Sequence, residues 1–204
     1  MKQSRRRLTA GLILGTAMGL FSRGRADDKQ KDEKKKLEGK PVVILDTSLG
    51  VIEIELDAEK APISAQNFVD YVEAKHYDGL VFHRVIPNFM IQGGGYDPNF
   101  KERATKPAIK NESSNGLKND RGTVAMARTS APNSATAQFF INVRNNDFLN
   151  KDRSQDGVGY AVFGKVTVGL DVVDKIKEVQ TGSKGPHSDV PLTPVVIKTA
   201  RIKA

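Results

Sequence analysis

The chain has no cysteine, which excludes disulfides, thiolate-held metals, a cysteine nucleophile and a lipid-modified cysteine together. Histidine is scarce: His76, His83 and His187 lie too far apart for a local metal motif, and no carboxylate ligand spacing accompanies them. No metal and no cofactor are therefore expected. No Gly-X-Ser-X-Gly or other nucleophile context surrounds the serines, which argues against a hydrolase. The glycine triplet at 93–95 is not followed by Gly-Lys-Ser/Thr or a helical pattern, so it reads as close packing or a turn rather than a phosphate loop. Acidic residues are missing from the first 26 positions, where Lys2, Arg5, Arg6, Arg7, Arg23 and Arg25 supply six of the eight net positive charges. The rest carries only +2 and shows no basic-aromatic interleaving, so no nucleic-acid partner is expected.

What the leader does contain is the order of an export signal: Ser4-Arg-Arg-Arg7, an uncharged stretch from Leu8 to Ser22, then Gly24-Arg-Ala26. Fifteen uncharged residues fall short of the ~20 that span a bilayer. No stable membrane insertion is expected after cleavage. The paired arginines resemble a twin-arginine signal, although Thr9-Ala10 departs from its usual ending. The expectation is 1–26 as signal peptide and a periplasmic or secreted protein, with a disordered basic tail as the bland alternative. Residues 27–39 hold five acids and five lysines and almost nothing apolar. They read as a flexible linker, or as a charged helix.

From residue 40 onward the chain reads as one domain. Val42 to Leu45 and Val51 to Leu56 form a hairpin whose second strand alternates Ile52, Ile54 and Leu56 with Val51, Glu53 and Glu55. Pro62 opens a helix with Phe68, Val69 and Val72 on one face, closed by Gly79. Residues 95–121 read as a long surface loop with at most a short strand near Ala108. Residues 122–127, 138–143 and 160–166 read as strands. Asp171 is expected to cap a helix carrying Val172, Val173, Ile176 and Val179, and Pro194 to Ile202 to pair as a strand with the first hairpin. Many short strands and two helices without strand-helix-strand alternation indicate an antiparallel sandwich or barrel. Periodicity leaves that choice open.

The most informative stretch is Val81 to Gly95, where Arg84 interrupts one apolar run and Gln92 closes another. A half-buried guanidinium and carboxamide need partners from the fold or from a ligand. Phe82-His83-Arg84-Val85-Ile86-Pro87-Asn88-Phe89-Met90-Ile91-Gln92-Gly93-Gly94 resembles the central signature of the cyclophilins, peptidyl-prolyl cis-trans isomerases. Gly122 to Ala127, Gln138 to Val143, Phe148-Leu149 and Tyr160 to Val166 resemble the same family. The resemblance covers about 41–204 and implies a mainly β fold, a closed eight-stranded antiparallel barrel capped by two α-helices.

It also implies rotation about X-Pro bonds in unfolded or extended segments, assisting folding of exported proteins, by a monomer. Arg84, Gln92 and Phe140 would be catalytic. Phe89, Met90 and Leu149 would line the proline pocket with Phe140, Phe148 and Tyr160 would stand at its rim, and Ala127 and Arg128 would contact the flanking peptide. Gln138 and Asn142 divide evenly between structural and functional roles, and His83 reads as a buried, hydrogen-bonded histidine. Three positions depart from the family pattern. Phe148 replaces the tryptophan of cyclosporin-sensitive members, so weak cyclosporin binding is expected. Tyr160 replaces a histidine frequent in eukaryotic members, and Arg128 a common asparagine. The rival reading is a barrel that binds proline-containing segments without turnover.

Overall fold

The structure is a computed structural model that describes Leu37 and residues 39–204. The expected signal peptide, and all of the expected linker except Leu37 and Gly39, lie outside the described residues.

Strands β1 (Val42–Thr47) and β2 (Gly50–Leu56) form the first hairpin, with Ile52, Ile54 and Leu56 fully buried and Val51 exposed. Helix α1 (Pro62–Glu73) starts on proline, as expected, but its own sequence supplies no capping side chain. Glu112 caps it from the long loop: Oε1 accepts from the Ile63 amide at 3.0 Å, and Oε2 accepts from the Ser64 amide and hydroxyl, each at 2.7 Å. A carboxylate there satisfies otherwise orphaned N–H groups and meets the positive end of the helix dipole. The helix ends at Glu73, with Lys75 in the left-handed region, so it stops before Gly79.

The remaining elements are β3 (Phe82–Ile86), β4 (Met90–Gly93), β5 (Thr123–Met126), β6 (Phe139–Asn142), β7 (Val162–Val168), α2 (Leu170–Lys177), β8 (Thr181–Lys184), β9 (His187–Pro191) and β10 (Ile197–Ile202). Asp171 does not cap α2. Gly169 does so at φ 88°, because a Cβ there would fall 2.2 Å from the Val51 carbonyl oxygen; Asp171 lies in the first turn and accepts from Lys175 at 3.0 Å.

Eight strands form one antiparallel sheet in the order β10-β1-β2-β7-β5-β6-β4-β3. As expected, the last strand pairs with β1. The expected closure is corrected: the sheet is a curled half-barrel with two ends, β10 and β3. Only an isolated bridge, Val81 with Val196, and bonds such as the Phe82 amide to the Val195 carbonyl join the segments leading into those strands. Pro194, which has no N–H, immediately precedes this contact, and β9 of the separate β8-β9 hairpin packs against β3 instead. That hairpin has no counterpart in the sequence reading, since Thr181-Gly-Ser-Lys184 shows no apolar alternation.

Pleating divides the sheet into two apolar layers. Inward residues Phe82, Val85, Ile91, Val124, Met126, Phe139 and Ile141 join Phe68 and Val72 of α1 and Val173 and Ile176 of α2 in the main core. On the outer face Met90, Ala125, Phe140, Leu149 and Val162 form a second, smaller cluster. That second cluster is the floor of the site.

Candidate active site

A row of four side chains crosses the outer face: Arg84 of β3 is opposite Gln92 of β4, Gln92 opposite Phe140 of β6, and Phe140 opposite Ala125 of β5. Arg84 reaches this row because of a β-bulge. Strict alternation from buried Phe82 would turn Arg84 into the core, but the register slips between Phe82 and Arg84, and His83 is the extra residue. Arg84 thus faces outward, half exposed, while Val85 returns to the core.

Around this row the structure gathers Arg84, Phe89, Met90, Gln92, Ala127, Arg128, Phe140, Leu149 and Tyr160 about a cavity of ≈ 160 Å³. Of the residues expected to be catalytic or to contact substrate, Phe148 alone does not line it. It is 53% exposed and packs its ring 5.5 Å from Phe89. Phe140 meets Tyr160 edge-on at 5.7 Å, which places an aromatic corner on the side away from Arg84.

The polar partners decide what each group is free to do. Gln92 donates to Gln138 Oε1 at 2.9 Å, so Gln138 holds Gln92. Arg84 Nε lies 3.6 Å from the Asp189 carboxylate, which is carried on β9 at φ 58°. Arg128 is spent internally: its side chain is 3% exposed, Nε donates to the Gly159 carbonyl at 3.0 Å, one terminal nitrogen donates to the Thr129 carbonyl at 3.0 Å, and the other pairs with Asp156. The guanidinium carbon sits 4.4 Å from the centre of the Tyr160 ring. Hydrogen bonds from Arg128, then from the Val158 and Gly159 amides, hold the Asp156 carboxyl well below the usual carboxylate range.

Beneath the far wall lies a buried amide network. Asn142 Nδ2 donates to Asn119 Oδ1 and Thr123 Oγ1; Asn146 donates to Asn142 Oδ1 at 2.7 Å and to the Phe89 carbonyl at 2.9 Å; Asn119 donates to Asn150 Oδ1 and the Tyr160 carbonyl. The network brackets the short 3₁₀ turn Asp147–Leu149, tying Phe89, Leu149 and Tyr160 to one frame. Asn142 therefore has a structural place. Asn119, Asn146, Asn150, Asp156 and Asp189 were not singled out from sequence, since polar loop residues carry no periodicity to mark them.

His83 is buried, 4.9 Å from the Tyr96 ring. Burial, reinforced by the nearby His187 and Arg84 and opposed by a bond with the Val81 backbone, lowers its pKa from 6.5 to about 4. Its Nδ1 has no hydrogen-bond partner among the described residues.

The model of the "Cyclophilin type peptidyl-prolyl cis-trans isomerase/CLD" family matches residues 42–202, nearly the whole described chain. The chain belongs to the cyclophilin-type peptidyl-prolyl cis-trans isomerases. The isomerase is 61% identical to a peptidyl-prolyl cis-trans isomerase of Acinetobacter baylyi over 80% of this chain and 86% of that one. It is 55% identical to peptidyl-prolyl cis-trans isomerase B of Escherichia coli over 79% and 99% respectively. Among solved structures, a Cryptosporidium parvum cyclophilin determined in the presence of the dipeptide Ala-Pro superposes with a TM-score of 0.68 at 27% identity, over 80% of this cyclophilin and 99% of that chain. The reading as a binder without turnover is set aside.

Proposed function

We propose that this cyclophilin turns X-Pro bonds of unfolded or extended polypeptides in the Arg84 cavity, and that its clients are exported proteins. The observation that carries the first part is the cross-strand row, which sets a cation, an amide and an aromatic floor side by side on one exposed face. Rotation must cross ~18–20 kcal/mol. Half-way through, the amide loses resonance and the proline nitrogen regains a lone pair. A donor fixed beside that nitrogen binds the twisted state better than either planar one, and Arg84 is that donor. One such contact is worth ~3–4 kcal/mol, whereas a million-fold acceleration needs roughly 8. Phe89, Met90, Phe140 and Leu149 supply the remainder by holding the proline ring in a dry recess, with Gln92 and the Ala127 to Arg128 backbone aligning the flanking peptide. The Ala-Pro dipeptide with the Cryptosporidium relative supports proline as the recognised unit.

The test is cis-to-trans relaxation of a short X-Pro peptide with wild type and Arg84→Ala. We expect kcat/KM to fall by about two to three orders of magnitude, the value of one transition-state donor; equal acceleration by both proteins rules out this role for Arg84. The second part rests on the basic, apolar and small-residue order of 1–26. Cell fractionation that finds the chain only in the cytoplasm at full length overturns it.

A further inference from the structure

We propose that Arg128 and Tyr160 act as one unit that sets the far wall of the substrate pocket, and that Asp156 locks this unit in place. Arg128 is then a positioning residue rather than a side-chain contact to the peptide. The geometry leaves its guanidinium little else to do. Every nitrogen has a protein partner, the side chain is almost fully buried, and its flat face lies 4.4 Å from the Tyr160 centroid. Tyr160 in turn presents its ring to Phe140 on the pocket floor. The fork reaches Gly159, the residue before Tyr160, and Asp156, three residues earlier, so one side chain fixes both the ring and the segment that carries it. Asp156 is itself rigid, because its carboxylate also accepts from the Val158 amide at 2.9 Å and the Gly159 amide at 3.2 Å. Gly159 adopts φ 70°, and a Cβ there would lie 2.6 Å from the Lys151 amide nitrogen. The 156–160 segment therefore passes close against the Lys151 backbone, where a side chain at 159 would not fit. A partly desolvated cation over an aromatic face is a geometry that couples two residues energetically.

This inference rests on the pocket being the substrate site, and the experiment separates the two. Arg128→Met, Tyr160→Leu and the double variant are compared in steady-state isomerisation of one X-Pro peptide, with thermal melts run alongside. Each single change is expected to raise KM about fivefold with kcat little altered, and the double variant to be no worse than the poorer single one. Independent losses that multiply to about 25-fold overturn the unit, as does a loss confined to kcat. Asp156→Asn guards against variants that fold poorly, since Asp156 is half exposed and outside the cavity lining. It is expected to raise KM in the same direction while the protein still melts cooperatively above the assay temperature; an unchanged KM overturns the lock. Failure of the underlying pocket reading has a different signature, full activity of Arg84→Ala.

Discussion

His83, the extra residue of the β3 bulge, makes stability depend on pH in a calculable way. In the folded chain it stays neutral down to about pH 4, whereas in the unfolded chain it takes up a proton near 6.5. The unfolded state thus binds more protons between those values, and stability falls as pH drops from 6.5 to about 4. At about 1.4 kcal/mol per pH unit the loss approaches 3 kcal/mol, a large part of a typical domain's margin. Burial is the main cause, and Tyr96, His187 and Arg84 are the groups around the ring. The assay is urea unfolding at a series of pH values, for wild type and His83→Gln, which is neutral throughout. His76 is also held below its ordinary value by burial, and Asp156, Asp171 and Asp174 add losses as pH falls through 3.8 and below. Both proteins share those contributions, so the difference between the two curves isolates His83. The gap should close by about 3 kcal/mol in favour of the variant between pH 6.5 and 4. Parallel curves refute the reasoning.

Gly95→Ala would place a Cβ 2.6 Å from Gln138 Nε2, forcing away the side chain that holds Gln92. We expect about a fivefold drop in kcat/KM, the worth of one hydrogen bond, and no further drop when Gln138→Ala is added; full activity of Gly95→Ala means Gln138 does not position Gln92. Phe148→Trp should tighten cyclosporin inhibition about tenfold by adding an indole donor at the exposed rim beside Phe89. Titration of isomerase activity with the drug measures this, and an unchanged inhibition curve would show that the missing N–H is not what limits binding.

Much of the site was legible because the chemistry is concentrated in short runs. Arg84 and Gln92 stand out as polar residues inside apolar stretches, whereas Phe140 lies in a run that is buried throughout, and only the family resemblance marks it as a site residue. The helix at Pro62 was legible from the proline itself and the spacing of Phe68, Val69 and Val72, and the last strand does pair with the first hairpin as expected. Closure did not. Sheet order depends on which edges can still donate, and here Pro194 and the β8-β9 hairpin intervene. Nor did the cap of α2, since Asp171 has the right chemistry but Gly169 has the only backbone that clears Val51.

By itself, then, the sequence determined the family pattern, the alternation that sorts side chains between two faces, and the residue types at the site. Those are local properties, set by the period of the strand and by side-chain chemistry. Tertiary structure alone decided three things. The bulge at His83 turned Arg84 outward, the half-barrel remained open, and Arg128 was committed to Asp156 and Tyr160 instead of to solvent. The last two depend on a partner distant in the chain, β9 for the sheet edge and the 156–160 segment for Arg128, while the bulge depends on the register adopted against the adjacent strand β4. A one-residue slip or a side-chain pairing across about 30 positions leaves no periodic trace in the sequence, so only packing could reveal it.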